Sequence, residues 1–133
     1  MDLLSRKWSE LKIEDAVLWC RPFTDGFRET AARLRAAYRA EHPEIKDEDT
    51  IPSADAERLA IEGWIQGGLV GGWSGFTSGD SSIPDVAPGA LSEADHANAH
   101  TILSHPDIYM LFLRFATKIT REYYRLEEDA TGN

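Results

Sequence analysis

The chain has 133 residues, of which 42% are hydrophobic and 28% are charged, and this length and composition are typical of one folded domain with a single core. No stretch approaches the roughly 18 consecutive apolar residues that a membrane span requires, and the polar N-terminus lacks the apolar segment of a secretory signal. We therefore expect a cytoplasmic protein that does not bind membranes.

The charge balance argues against nucleic-acid binding. Fourteen basic and 23 acidic residues give a formal net charge of −9, which repels phosphate backbones at long range. The basic residues form two groups at helical spacing among acidic neighbours, and this pattern favours solvated helix faces. The groups are Arg28, Arg33, Arg35 and Arg39, then Arg114, Lys118, Arg121 and Arg125.

A strand is predicted near the N-terminus, over the apolar run from Ala16 to Phe23, where Pro22 cannot continue a sheet ladder. A short partner strand over Leu11 to Ile13, turned back at Glu14-Asp15, would complete a hairpin. The single cysteine, Cys20, lies within the apolar run, and we expect a reduced, buried thiol there.

Two amphipathic helices are predicted next. The first runs from Asp25 to Ala40, with Thr24 or Asp25 as its N-cap, and ends before Pro43. The second opens with Ser53 as a candidate N-cap and Asp55 in its first turn. Its apolar stripe comprises Ala56, Leu59, Ala60 and Trp64.

Glycines follow at a spacing of four, at Gly63, Gly67 and Gly71, with Gly68 and Gly72 beside them. The sequence leaves open whether the segment from Gly63 to Gly72 is helix or loop, because each glycine inside a helix costs about 0.8 to 1 kcal/mol relative to alanine. The segment matches neither a dinucleotide-binding nor a phosphate-binding loop.

A long loop is predicted at about residues 74–90, rich in Ser, Gly, Asp and Pro. We expect Phe76, Ile83 and Val86 to fasten it to the body of the domain. Such long loops in small domains are usually functional or mobile.

Two helices close the chain. Ser92 and Asp95 form a capping box at the start of a helix with Ala97, Ile102 and Leu103 facing inward. After a break at His105-Pro106, the last helix carries the strongest periodic signal of the chain. Its inward positions are predicted at Ile108, Leu111, Phe112, Phe115, Ala116, Ile119 and Tyr123.

Together these elements predict a mainly α fold. Four to five helices form a single domain over residues 1–133, with a short N-terminal β-strand or hairpin and a long loop at about 74–90. Residues 1–10 and 127–133 are expected to fray, because they have little to bury.

Few residues suggest chemistry. His96 and His100 lie four apart on one predicted helix face, but a zinc site needs a third and usually a fourth ligand, so we interpret them as surface residues. Asp80 and Asp85 lack the ligand spacing of a calcium loop. We expect no enzymatic activity, no metal and no cofactor.

The aromatic residues are more informative about binding. Among the four tryptophans, Trp19 and Trp64 are expected in the core, whereas the sequence leaves open whether Trp8 and Trp73 lie in the core or are interface anchors. The residues predicted to contact a protein partner are Trp73, Phe76, Trp8, Ile83 and Tyr123.

Several short patterns occur in a fixed order along the chain. After the strand segment and the first helix come Leu69-Val70-Gly71-Gly72-Trp73-Ser74-Gly75-Phe76, then Gly79-Asp80, Ile83-Pro84, and a helix reaching Ile102-Leu103 before His105-Pro106. This order resembles the tail assembly chaperones of long-tailed bacteriophages of the siphophage type, over about Ala16 to Ala116. The chain departs from the family pattern at Asp85-Val86, where an aromatic residue is usual, and in a longer insertion before Ser92.

The resemblance implies a non-enzymatic protein that coats the tape measure protein in the cytoplasm of the host cell and recruits tail tube subunits. It also leaves room for a homo-oligomer. An apolar groove within a negative exterior would keep an exposed tape-measure helix soluble. The alternative hypothesis is a small acidic phage-encoded inhibitor that binds a host nucleic-acid-handling enzyme, motivated by the net charge of −9.

Overall fold

A three-stranded antiparallel sheet forms one side of the molecule, and helices cover it. The computed structural model describes residues 8–23, 25–47 and 50–130, and for Asp25 and residues 126–130 it describes the backbone alone. In chain order the strands of the sheet are β1 (Ser9–Ile13), β2 (Ala16–Cys20) and β3 (Val70–Ser74), and β2 lies in the middle.

The predicted N-terminal hairpin is confirmed. β1 and β2 are joined by the two residues Glu14 and Asp15, and Leu11 lies opposite Leu18 with both side chains buried. Glu14 has a positive φ of 54°, which a tight hairpin turn requires of its backbone. Beyond β2, the N–H of Arg21 donates to the carbonyl of Leu69 at 2.8 Å, which ties the strand exit to the chain entering β3.

The expected fold is confirmed in part: the described residues form four helices and the N-terminal hairpin, but a third strand extends the hairpin to a sheet, so the protein is α/β and not mainly α. β3 covers the Trp-Gly segment, with Trp73 opposite Leu18 and Gly72 opposite Trp19. The segment has no alternation of apolar and polar residues, because all of its residues up to Trp73 are buried on both faces.

Two helices lie between β2 and β3 in the chain, α1 (Asp25–Glu41) and α2 (Ser53–Gln66), and they pack against each other. The Tyr38 hydroxyl of α1 donates to the Asp55 carboxylate in the first turn of α2 at 2.6 Å. The predicted Ser53 cap is wrong: Pro52 occupies the N-cap position, and no side chain caps this end. The predicted N-cap at Thr24 or the Asp25 side chain lies outside the described residues.

The glycine segment is helix at one end and strand at the other. Gly63 is inside α2, and the N–H of Gly67 donates to the Gly63 carbonyl at the helix end. Gly68 turns the chain with a φ of 76°, and Gly71 and Gly72 belong to β3. The question that the sequence leaves open is therefore answered by a change of element at Gly67 and Gly68.

The predicted loop at 74–90 is interrupted by a small hairpin of β4 (Thr77–Ser78) and β5 (Ser81–Ser82). Phe76 and Ile83 flank this hairpin and are both buried. Val86 then pairs with Trp73 on the free edge of β3. The expectation that Phe76, Ile83 and Val86 fasten the loop is confirmed.

Two further helices follow, α3 (His96–Leu103), preceded by a 3-10 turn over Glu93–Asp95, and α4 (Pro106–Ala130). The predicted capping box is present: the Ser92 N–H donates to the Asp95 carboxylate at 3.3 Å, and the Ser92 side chain accepts from the Asp95 backbone. The Ser92 hydroxyl also donates to the Asp95 carboxylate at 2.8 Å. In α3, Ile102 and Leu103 are buried as predicted. The predicted inward position of Ala97 is wrong, since it is exposed and Ala99 is buried instead.

The core lies where α2, α3 and α4 meet the sheet. Trp64 packs on Tyr109 and Phe112 of α4, with ring centroids 5.0 Å and 4.5 Å apart. Trp64 is therefore a core residue as expected, whereas Trp19 is only half-buried on the sheet.

The ends of the chain are partly described. Frayed backbone is predicted at 1–10 and 127–133, and of these residues 1–7 and 131–133 lie outside the described residues. β1 begins at Ser9, and α4 continues to Ala130.

Gly72 is the backbone position that we expect to tolerate a side chain least. Its φ is 153°, and an added Cβ would lie 2.5 Å from the Val86 carbonyl oxygen. Gly72→Ala should lower the free energy of unfolding by about 3 kcal/mol in urea titrations, because backbone strain and overpacking add. Gly68→Ala is the matched control: it also has positive φ but nothing within 4 Å, and should cost about 1 kcal/mol. Equal losses for the two variants would refute the close approach of Gly72 to the loop.

The contact between α1 and α2 should depend on pH. The hydrogen bond to Asp55 raises the pKa of Tyr38 to about 12, from an ordinary value of 10.0. A raised folded pKa stabilises the protein below pH 10, and this stabilisation is lost as pH rises through 12. The difference in unfolding free energy between the wild type and Tyr38→Phe should thus be constant below pH 10 and change between pH 10 and 12. A difference that does not change with pH in that window would exclude this role of the phenol.

Candidate functional site

The five predicted partner contacts do not form one exposed surface. Trp73, Phe76 and Ile83 are 0%, 8% and 9% exposed. Trp8 and Tyr123 are half-buried, and they lie on different elements. A partner would reach Trp73 only if the surrounding packing opened, so their role as partner contacts remains a prediction.

Trp73 joins the sheet to the loop that follows it. Its backbone N–H donates to the Val86 carbonyl at 3.0 Å, and the N–H of Val86 donates back at 2.9 Å. The indole Nε1–H donates to the Pro84 carbonyl at 2.9 Å. Because a buried indole N–H needs an acceptor, this bond fixes the path of the Ile83-Pro84 step.

Trp8 covers a different part of the sheet. Its ring lies under the Arg21 guanidinium, 3.7 Å from carbon to ring centroid, and against the backbone of Gly71. A side chain at Gly71 would collide with the indole. Trp8, Arg21 and Leu91 line a depression of about 630 Å³.

A larger concave surface than this depression lies at the opposite end of the sheet. It is a groove of about 1010 Å³ between the β1–β2 turn, the Phe76 segment and the first turns of α4, here called the α4 groove. Its apolar lining consists of Ile13, Phe76, Ile108, Met110 and Leu111, and its charged lining includes Glu14, Asp15, Asp107, Lys12 and Arg114.

Two residues of the α4 groove are unusual for a small domain. Met110 and Leu111 are 45% and 39% exposed, and they are the large hydrophobic side chains that stand out in solvent among the described residues. The predicted inward position of Leu111 is therefore wrong. The signal was present in the sequence, because the six apolar residues from Ile108 to Leu113 occupy every face of a helix, and only one face can be buried.

One of the two histidines that are spaced for a metal, His100, has other contacts. His100 Nε2 lies 3.3 Å from a Glu62 carboxylate oxygen, and its Nδ1 lies 3.2 Å from the Ser104 hydroxyl. Across residues 8–23, 25–47 and 50–130, no group of three or more His, Cys, Asp and Glu side chains is placed to hold a metal ion. Asp85 accepts a hydrogen bond from the Gly75 N–H at 3.1 Å, which is a structural role in the loop.

The groups with shifted pKa values are scattered rather than gathered in one cleft. Burial raises the pKa of the Cys20 thiol far above its ordinary value and also raises the pKa of Tyr109. A hydrogen bond from its own backbone N–H, supported by His42, lowers the pKa of Glu44. Each shift has a local structural cause, and none points to an activated nucleophile.

Comparison with known proteins adds no relative. No protein-family model, no curated protein and no solved structure matches the chain. In the part of the chain that the structure describes, no helix has the length and apolar character needed to cross a membrane.

Cys20 should be inert in the folded protein. It is fully buried, and a thiol with a raised pKa holds almost no thiolate at neutral pH. Labelling with a disulfide-exchange dye at pH 8 should be slow in buffer and rapid in denaturant. Fast stoichiometric labelling of the folded protein would show that the thiol is accessible and would reopen a chemical role.

Proposed function

We propose that this chain is a non-enzymatic assembly chaperone of the phage tail type, which holds an apolar helix of the tape measure protein in the α4 groove and recruits tail tube subunits. One observation carries the proposal: Met110 and Leu111 are exposed side by side in a groove of about 1010 Å³. Exposed apolar residues clustered in a concave site are typical of protein-binding surfaces.

The shape of the α4 groove suits a helix as client. An amphipathic helix binds by placing side chains at three- and four-residue spacing into an apolar groove. Here α4 supplies one wall, and the β1–β2 turn with the Phe76 segment supplies the other. The charged lining holds three carboxylates, Glu14, Asp15 and Asp107, and two cations, Lys12 and Arg114. This acidic excess favours a client helix with neutral or basic flanks.

The net charge supports the same function. A net charge of −9 favours solubility, and this would keep an apolar client dispersed. Trp73 supports the groove from the core. Its hydrogen bonds to Pro84 and Val86 hold the loop that begins at Phe76, and Phe76 lines the groove. Of the residues that carry the family resemblance, Gly75, Phe76 and His105 line the groove, while the proposed contacts come mainly from α4.

Removing the apolar contacts should abolish chaperone activity without unfolding the domain. In Met110→Glu combined with Leu111→Glu, co-expression with the cognate tape measure protein should no longer raise the soluble fraction of that protein, whereas the wild type should raise it. Both positions are more than a third exposed, so the fold should survive.

The matched control adds the same charge elsewhere. Ala94→Glu combined with Ala97→Glu introduces two carboxylates at exposed positions outside the α4 groove and should retain full activity. If the wild type neither co-purifies with the tape measure protein nor improves its solubility, the proposed function is wrong. If both double variants behave like the wild type, the client binds elsewhere.

A further inference from the structure

The outer face of α4 carries a run of basic residues on an acidic protein. Arg114, Lys118, Arg121 and Arg125 are all exposed and lie at spacings of four, three and four residues; they are here called the basic stripe. Three- and four-residue spacing places side chains on one helix face. The rest of the chain has 10 basic and 23 acidic residues. Positive charge is therefore concentrated on the basic stripe, and negative charge dominates elsewhere.

Three carboxylates stand at the other end of the same face. Glu14 and Asp15 on the β1–β2 turn and Asp107 in the first turn of α4 are exposed and line the α4 groove; they are here called the acidic end. Among the described side chains, neither these carboxylates nor the cations of the basic stripe form an ion pair within the chain.

Arg114, the first residue of the basic stripe, lines the α4 groove together with the acidic end, and the rest of the stripe continues away from that end along α4. From Asp107 to Arg121 there are 14 residues, which corresponds to about 21 Å at the α-helical rise of 1.5 Å per residue. Met110 and Leu111 lie between them, next to the acidic end. Along the outer face of α4, acidic residues are therefore followed by apolar residues and then by basic residues.

This order of charges makes the face complementary to a second copy of itself in the antiparallel orientation. If two copies lie antiparallel across this face, the acidic end of each meets the basic stripe of the other, and both contacts are made at once. A parallel arrangement would place like charges opposite one another, which is unfavourable. The antiparallel contact is isologous, and this type of contact forms a closed two-fold dimer.

We propose that two copies of this chain form an antiparallel two-fold dimer through the outer face of α4, with the acidic end of each copy on the basic stripe of the other. The dimer covers Met110 and Leu111, the apolar residues that a single copy leaves in water. Exposed ion pairs are individually weak, so the dimer is weak and sensitive to salt. This inference concerns the chain alone and does not depend on the tape measure protein.

The test is to reverse charges by substitution and to measure the oligomeric state of the full chain by sedimentation velocity. The wild type should be a dimer at about 0.1 M salt and a monomer at about 1 M, because the Debye length falls from about 10 Å to about 3 Å. Two variants each reverse one side: Lys118→Glu with Arg121→Glu, and Glu14→Lys with Asp15→Lys. Each alone should be a monomer with an unchanged far-ultraviolet circular dichroism spectrum.

Two further samples, a mixture of the two variants and a chain that combines all four substitutions, distinguish this contact from a general effect of net charge. An equimolar mixture of the two variants should form a 1:1 dimer, and the variant with all four reversals, which has the wild-type net charge, should dimerise like the wild type. A monomeric wild type at low salt, a dimer that survives both reversals, a mixture that stays monomeric, or growth beyond the dimer would each overturn the proposal. If the basic stripe instead bound a single-stranded oligonucleotide while the wild type stayed monomeric, the stripe would be a phosphate site.

Discussion

The complete burial of Trp73 is the constraint on which the rest of the structure depends. Its backbone is paired with β2 on one side and with Val86 on the other, and its indole N–H reaches the Pro84 carbonyl at 2.9 Å. Next to Trp73 in β3, Gly71 leaves the space that the Trp8 ring occupies and Gly72 leaves the space that the Val86 carbonyl occupies, since a Cβ at either glycine would collide with them. The loop after β3 must therefore return across the strand, and Phe76 lies at the start of that return.

The path of this loop shapes the binding surface. Phe76 and the β1–β2 turn form one wall of the α4 groove, and α4 forms the other. Since α4 buries only the face that contains Phe112, Ala116 and Ile119, the apolar residues on its other side remain in contact with water. Met110 and Leu111 belong both to the proposed client groove and to the proposed dimer contact, so a client helix and a second copy would compete for them.

Much of this fold was accessible from the sequence, and the failures have physical causes. The hairpin, the four helices and the apolar anchors Phe76, Ile83 and Val86 follow from periodicity and turn chemistry. β3 was missed because a strand buried on both faces shows no alternation, and a glycine-rich segment has weak strand propensity. The candidate site was predicted poorly. Trp73 was a candidate interface anchor because it is a large aromatic residue, but its side chain is buried in the core. The apolar run from Ile108 to Leu113 shows that part of α4 must expose apolar side chains, but which of them are exposed depends on the face that the other elements cover.

The most direct measurement of the central claim is site-specific photo-crosslinking from the α4 groove. A benzophenone amino acid placed at Leu111, in a chain co-expressed with the tape measure protein, should form a crosslink to an apolar helical segment of that protein, identified by mass spectrometry. The same group at the exposed Ala97 on α3 should give no such adduct. Crosslinks from both positions, or from Ala97 alone, would contradict the assignment of the α4 groove as the binding surface.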